Sequence, residues 1–190
     1  MRKIQTENQL SGRAIGVLFF AGFGALWLAL GLYAQERLRT ATVSGVLLGL
    51  AVLVLAALYQ LREAKRWPRV PEDPAVSRTF IRVNVVQWIA VAVVAFTFAE
   101  LHIEAFVISA ITAVVGLHMF PLARLFRYPP HYVAGAVLVA WAAASAVFLP
   151  VDRMQGIAAL GTGAILWSSA AVNLALAFLA ARQSADSLTH

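Results

Sequence analysis

The sequence predicts an all-α protein: a polytopic membrane helix bundle of six transmembrane helices, arranged as three hairpins with both termini cytoplasmic. Three observations carry that expectation. Six apolar stretches reach or approach the length of a membrane span, hydrophobic residues make up 61% of the chain against 13% charged, and 12 of the 15 Lys and Arg residues fall in alternate gaps between the stretches. Soluble domains hold about 25% charged residues, so the bilayer is the environment that this composition fits. The 190 residues read as a single transmembrane domain, 1–190.

A span needs roughly 20 apolar residues to cross about 30 Å of hydrocarbon. The six are expected near 14–33, 41–61, 80–99, 103–122, 131–149 and 156–180. The first follows Arg2 and Lys3, as a signal peptide would. Its apolar run is nevertheless about twenty residues long and lacks a clean Ala-x-Ala cleavage site, so it reads as a retained helix. After the second span, residues 62–79 carry Pro68, Pro71 and Pro74 among charges and predict an extended cytoplasmic linker. Near the end of the fourth span, Pro121 removes a backbone donor and is expected to kink or end the helix. A second Pro-bearing gap, 126–130, precedes the fifth span, and the outer connections are all short. Continuous apolarity rich in Ala and Leu favours helices over barrel strands, which alternate in polarity over about ten residues.

Orientation follows from the cations, because Lys and Arg in short loops stay cytoplasmic. One side holds Arg2, Lys3, Arg13, Arg62, Lys65, Arg66, Arg69, Arg78, Arg82, Arg124, Arg127 and Arg182, with Glu7, Glu63, Glu72, Asp73 and Asp186: twelve cations to five anions, a balance of +7. The other holds Arg37, Arg39 and Arg153 with Glu36, Glu100, Glu104 and Asp152: three to four, a balance of −1. The reading is a multi-pass protein of a bacterial inner (plasma) membrane.

Several function classes are excluded. The absence of cysteine removes disulfides, thiolate nucleophiles and iron–sulfur clusters. The net charge of +6 belongs to residues flanking apolar spans, where the partner is the lipid bilayer and not nucleic acid. Phosphate-binding glycine loops, two-His zinc motifs and a serine nucleophile elbow are missing. Only His118 lies clearly inside a span, which leaves no inner histidine pair for haem, and the sequence identifies no cofactor.

Small residues four apart, Gly12 with Gly16 and Gly45 with Gly49, allow close helix approach within the bundle or a homo-oligomer through Gly-rich faces. Gly22, Gly24, Gly31, Gly161 and Gly163 mark the first and sixth spans as tight packers. Trp27, Trp88 and Trp141 in the odd-numbered spans, with Trp167 in the sixth, hint at a thrice-repeated hairpin. Tyr33, Tyr59, Trp67, Tyr128 and Tyr132 sit where interfacial aromatics belong.

Polar side chains inside spans are expensive unless paired, so each asks for a partner or a function. Asn84 and Gln87 share a face of the third span, His118 is in the fourth and Asn173 in the sixth. Asn84, His118 and Asn173 each lie about six residues, roughly 9 Å, to the cytoplasmic side of their span midpoints. That shared depth predicts a cluster of Asn84, Gln87, His118 and Asn173, with Ser168 and Ser169 one to two turns further out. Such a cluster either bonds to itself and fixes helix register or lines a cavity open to the cytoplasm, with His118 able to titrate.

On the outer side, Glu100, His102 and Glu104 alternate along Glu100-Leu101-His102-Ile103-Glu104 and are candidates for a divalent metal. The competing reading places Glu104 in the first turn of the fourth helix, where a carboxylate complements the helix dipole. Glu104, Val107, Ile111, Val114 and His118 fall along one helical stripe, expected as a packing seam because its ends are about 21 Å apart.

The segment Gly116-Leu117-His118-Met119-Phe120-Pro121-Leu122-Ala123-Arg124 is the most distinctive in the chain. It resembles segments of small uncharacterised bacterial six-span membrane proteins. The three short hairpins also resemble, in topology, the HdeD-type acid-stress membrane proteins. Neither resemblance implies an activity, and no functional residue carries over. Three functional readings follow: small-solute transport or binding through a cytoplasm-facing polar cavity; a non-transporting structural, stress-related or accessory role; and a lipid-modifying enzyme with Arg82, Arg124 or Arg127 holding a phosphate, for which no nucleophile is evident.

Overall fold

The computed structural model describes residues 7–68, 71 and 73–186. The charges counted at Arg2, Lys3, Arg69 and Glu72 lie outside them. The chain forms α1 (Glu7–Ala34), α2 (Thr40–Ala64), α3 (Pro74–Glu100), α4 (Val107–Leu125, entered through a 3₁₀ turn at Glu104–Phe106), α5 (Pro130–Phe148) and α6 (Val151–Asp186), with no strand among the described residues. Among the described residues, six helices are long and apolar enough to cross a membrane, as in an integral membrane protein.

Helix ends are set by capping chemistry, and several extend past the apolar runs. α3 starts at Pro74, earlier than the expected residue 80, because the Asp73 carboxylate accepts from the Ala75 N–H at 2.8 Å while proline occupies the first helical position. Together with the extension of α2 to Ala64, this shortens the linker from both sides. Pro121 does not end α4, which continues to Leu125.

Three helices stop by one device. Glu36, His102 and Arg127 have φ of 54°, 56° and 49°. Each lets the next residue's N–H reach back to an orphan carbonyl: Arg37 to Leu32 at 2.8 Å, Ile103 to Phe98 at 3.0 Å and Tyr128 to Ala123 at 2.9 Å. Glycine usually holds this left-handed position; a larger residue there costs about 1 kcal/mol.

The core is built on α1 and α6, which pack antiparallel along their lengths. Glycines at a seven-residue spacing meet across the seam, Gly24 with Gly163 and Gly31 with Gly156. A Cβ on Gly163 would lie 2.8 Å from the Gly24 carbonyl oxygen, and one on Gly31 would lie 2.8 Å from that of Gly156. Both are backbone atoms that no rotamer change can move. The repeat continues through Val17 and Ala170, both fully buried, to Leu10 and Ala177. Gly116 on α4 and Gly135 on α5 form a second such contact, each facing the other's carbonyl.

Tryptophans fill the remaining notches. The Trp167 ring covers Gly24 of α1 and Gly49 of α2, and its indole N–H donates to the Ala21 carbonyl at 3.0 Å. Trp141 sits over Gly161, donating to the Ala158 carbonyl at 3.0 Å. Trp88 is exposed on α3 and Trp27 is half-buried, so the four tryptophans do not occupy equivalent places and lend the repeat no support. Of the glycine pairs expected to mediate close approach, only Gly49 does so; Gly12, Gly16 and Gly45 face open space.

α4 buries Ser109, Thr112, Gly116, Met119 and Ala123. The apolar stripe through Val107, Ile111 and Val114 is only half-buried. Lipid is as apolar as a leucine, so small and hydroxylated residues mark the inner face. Serine and threonine hydroxyls join the helices there, Ser109 with Ser145 of α5 and Thr112 with Thr162 of α6, each pair at 2.8 Å.

Candidate functional site

The start of α1, the end of α2, the 126–129 connection and the later part of α6 share one end of the bundle. The Glu7 N–H donates to the Pro68 carbonyl at 3.0 Å, and Gln60 on α2 donates through Nε2 to the Leu174 carbonyl at 3.3 Å. At the other end, Gln35 donates to the Arg153 carbonyl at 3.2 Å and Gln155 to the Glu104 carbonyl at 2.7 Å.

At the first end a polar group forms around the turn between α4 and α5. The left-handed Arg127 reverses the chain and sends Tyr128 inward, where its hydroxyl donates to Asn173 Oδ1 at 2.8 Å. Arg13 of α1 lies over the Tyr128 ring, 5.1 Å from the guanidinium carbon to the centroid. The edge of His131, in the first turn of α5, meets Tyr128 at 5.1 Å and Phe20 at 5.8 Å between centroids. His118 is buried on α4, within interaction range of both His131 and the Val83 backbone carbonyl on α3. Burial raises the pKa of the Tyr128 phenol, with Arg13 opposing. The phenol therefore stays neutral and keeps its donor for Asn173.

Among the described residues, three buried polar atoms at this end lack a hydrogen-bond partner: His118 Nδ1, His131 Nδ1 and, on α2, Gln60 Oε1. Leaving a buried donor or acceptor unmade costs about 1–3 kcal/mol. Two unpaired imidazole nitrogens on adjacent helices are therefore an unusual local expense, and a hydrogen-bonding guest would relieve it.

The residues expected to cluster divide. His118 and Asn173 are buried at this end, at 9% and 4% exposure, joined through the Tyr128–His131 pair. Asn84, beside Val83 on α3, turns its amide back to the Phe80 carbonyl of its own helix at 2.8 Å. Gln87 is half-buried one turn further along. Ser169 donates to the Ile165 carbonyl of its own helix at 2.8 Å, and Ser168 is exposed on the helix surface.

Sequence reasoning missed Tyr128, His131 and Arg13, having taken the tyrosine for an interfacial aromatic and the arginine for one of the cytoplasmic cations. A signal was present in Gly116 and Gly135. Once these pair across antiparallel helices, residues two inward from each, 118 and 133, come level, with His131 half a turn away.

The Glu100–Glu104 turn is a helix stop. His102 is its left-handed residue, 89% exposed at the side chain, with Nδ1 3.9 Å from Glu104. Glu104 begins the 3₁₀ turn before α4. Among the described residues, no three His, Cys, Asp or Glu side chains converge as a metal site would require.

Compared with protein-family models, curated proteins and solved structures, the chain gives no match.

Proposed function

We propose that this is a bacterial inner-membrane protein of three helical hairpins, both termini cytoplasmic, that binds or moves a small solute through a cytoplasm-facing polar site. The site centres on His118 and His131, with Asn173 and Tyr128 beside them and Asn84 and Gln87 flanking on α3. The observation that carries this reading is the pair of buried, unpartnered Nδ1 atoms. The His118 ring lies within reach of the Val83 carbonyl, and a neutral imidazole that gives its N–H there keeps Nδ1 as an acceptor, so the fitting solute is small and supplies a donor. The orientation rests on the sequence, in which twelve cations fall in one set of alternate gaps against three in the other.

Ligand screening by thermal stabilisation in detergent tests the reading. A solute at 100 times its Kd adds about 2.7 kcal/mol to the wild type, and that shift should vanish in His118→Ala and His131→Ala. A shift preserved in both variants sinks the site.

A second reading, a non-transporting structural, stress-related or accessory subunit, draws on α3, which has no buried residue and leaves a broad apolar surface for another membrane helix. Co-purification of the full chain with a stoichiometric membrane partner, with no solute shift, would favour it.

A further inference from the structure

Where α1 begins and α2 ends, Glu7 and Ser11 face Leu58, Leu61, Arg62 and Lys65 across an open groove of about 330 Å³. Helical spacing builds its α2 wall in two columns: Leu58 lies one turn below Arg62, and Leu61 one turn below Lys65. The candidate span runs to Ala64, which puts Leu58 and Leu61 in its last two turns, Arg62 in its last turn and Lys65 just past its end. Arg66 is engaged by Glu63 at 3.0 Å, whereas Arg62 and Lys65 form no ion pair among the described residues. Gly12, next to Ser11, faces open space and puts no side chain across the rim.

We propose that this groove is a binding site for one anionic phospholipid of the phosphatidylglycerol type. Its phosphodiester sits between Arg62 and Lys65, with the Ser11 hydroxyl as a further donor, and an acyl chain descends over Leu58 and Leu61. The opposite wall offers Glu7, a carboxylate that accepts hydrogen bonds from headgroup hydroxyls. Two cations and one anion leave one positive charge on the walls, which a single phosphodiester neutralises. A zwitterionic lipid would leave it in place. A free phosphate would use the cations but leave the leucine columns unoccupied, which is why a lipid is the fitting source.

Native mass spectrometry of the purified full chain, titrated with phosphatidylglycerol, phosphatidylethanolamine or phosphatidylcholine, reads this directly. The wild type should retain one phosphatidylglycerol at least about tenfold more tightly than either zwitterionic lipid. Arg62→Gln/Lys65→Gln should weaken it about 30-fold, while Arg66→Gln leaves it unchanged. Equal retention of all three lipids by the wild type overturns the proposal even where the double variant fails to fold. Unchanged binding by a folded double variant does the same, and displacement of the lipid by millimolar inorganic phosphate reassigns the groove to a soluble anion. None of these readings depends on His118 or His131.

Discussion

α3 is slightly more apolar than α6, yet no residue of α3 is buried while the α6 span is the most buried of the six described. The difference lies in residue size. α6 carries Gly156, Gly163, Ala170 and Ala177 at seven-residue intervals, and α1 answers with Gly31, Gly24, Val17 and Leu10 in antiparallel register. α3 instead presents Val85, Val86, Trp88, Ile89, Val93 and Phe96 outward. Inside a bilayer, leaving apolar surface against lipid carries no penalty. Burial follows close backbone approach and polar satisfaction, which the large side chains of α3 do not provide.

The strongest way to break the comparison is to truncate one tryptophan from each region. Trp167 fills the notch over Gly24 and Gly49 and has its N–H bonded, so Trp167→Ala should cost about 3–5 kcal/mol. The Trp88 ring lies 6.3 Å from that of Phe23, centroid to centroid, but Trp88 is 57% exposed, so Trp88→Ala should stay within about 0.5 kcal/mol. Thermal unfolding in detergent ranks the two, and equal losses would refute the division.

Glycine substitution comes next. Gly163→Ala drives a methyl into the Gly24 carbonyl and should lower stability by about 1–3 kcal/mol. Gly22→Ala, two residues from Gly24 and on the far side of the helix with nothing within 4 Å, should be neutral or slightly stabilising through helix propensity. A loss at Gly22 matching that at Gly163 would mean that the face of α1 holding Gly22 is covered by something beyond this chain.

How much of this was legible beforehand follows from the same physics. The spans could be located because apolar length is dictated by bilayer thickness, and of the glycines expected to pack tightly in the first and sixth spans, Gly24, Gly31, Gly161 and Gly163 do so while Gly22 does not. Which glycines meet could not be read from four-residue spacing, since Gly12, Gly16 and Gly45 share it and face open space. In the polar group, depth alone drew His118 and Asn173 to one end. Tyr128 and His131 required knowing that Arg127 takes a left-handed turn, a conformation that arginine rarely signals.

A smaller effect probes that turn. Tyr128→Phe removes the donor to Asn173 and should cost about 1 kcal/mol, detectable by thermal unfolding. Because burial raises the phenol's pKa in the fold, the stabilisation linked to its proton is complete below the unfolded value of about 10. It is lost as pH rises through the folded one. Wild type should therefore lose more stability than Tyr128→Phe on going from neutral to strongly alkaline pH, and parallel pH curves would contradict the buried, neutral phenol.

The smallest stability change should carry the most information about α3. Asn84 satisfies its amide within its own helix and is only half-buried, so Asn84→Leu should shift stability by no more than about 0.5 kcal/mol, whereas Asn173→Leu strips a buried partner from Tyr128 and should cost more. If α3 were only a lipid-facing strut, Asn84→Leu would also leave any ligand-induced thermal shift untouched. Loss of that shift with stability retained would instead mean that the Asn84 amide exchanges the Phe80 carbonyl for the solute. A weakly held helix beside His118 can make that exchange without disturbing the α1–α6 seam, because its attachment lies on the α4 side.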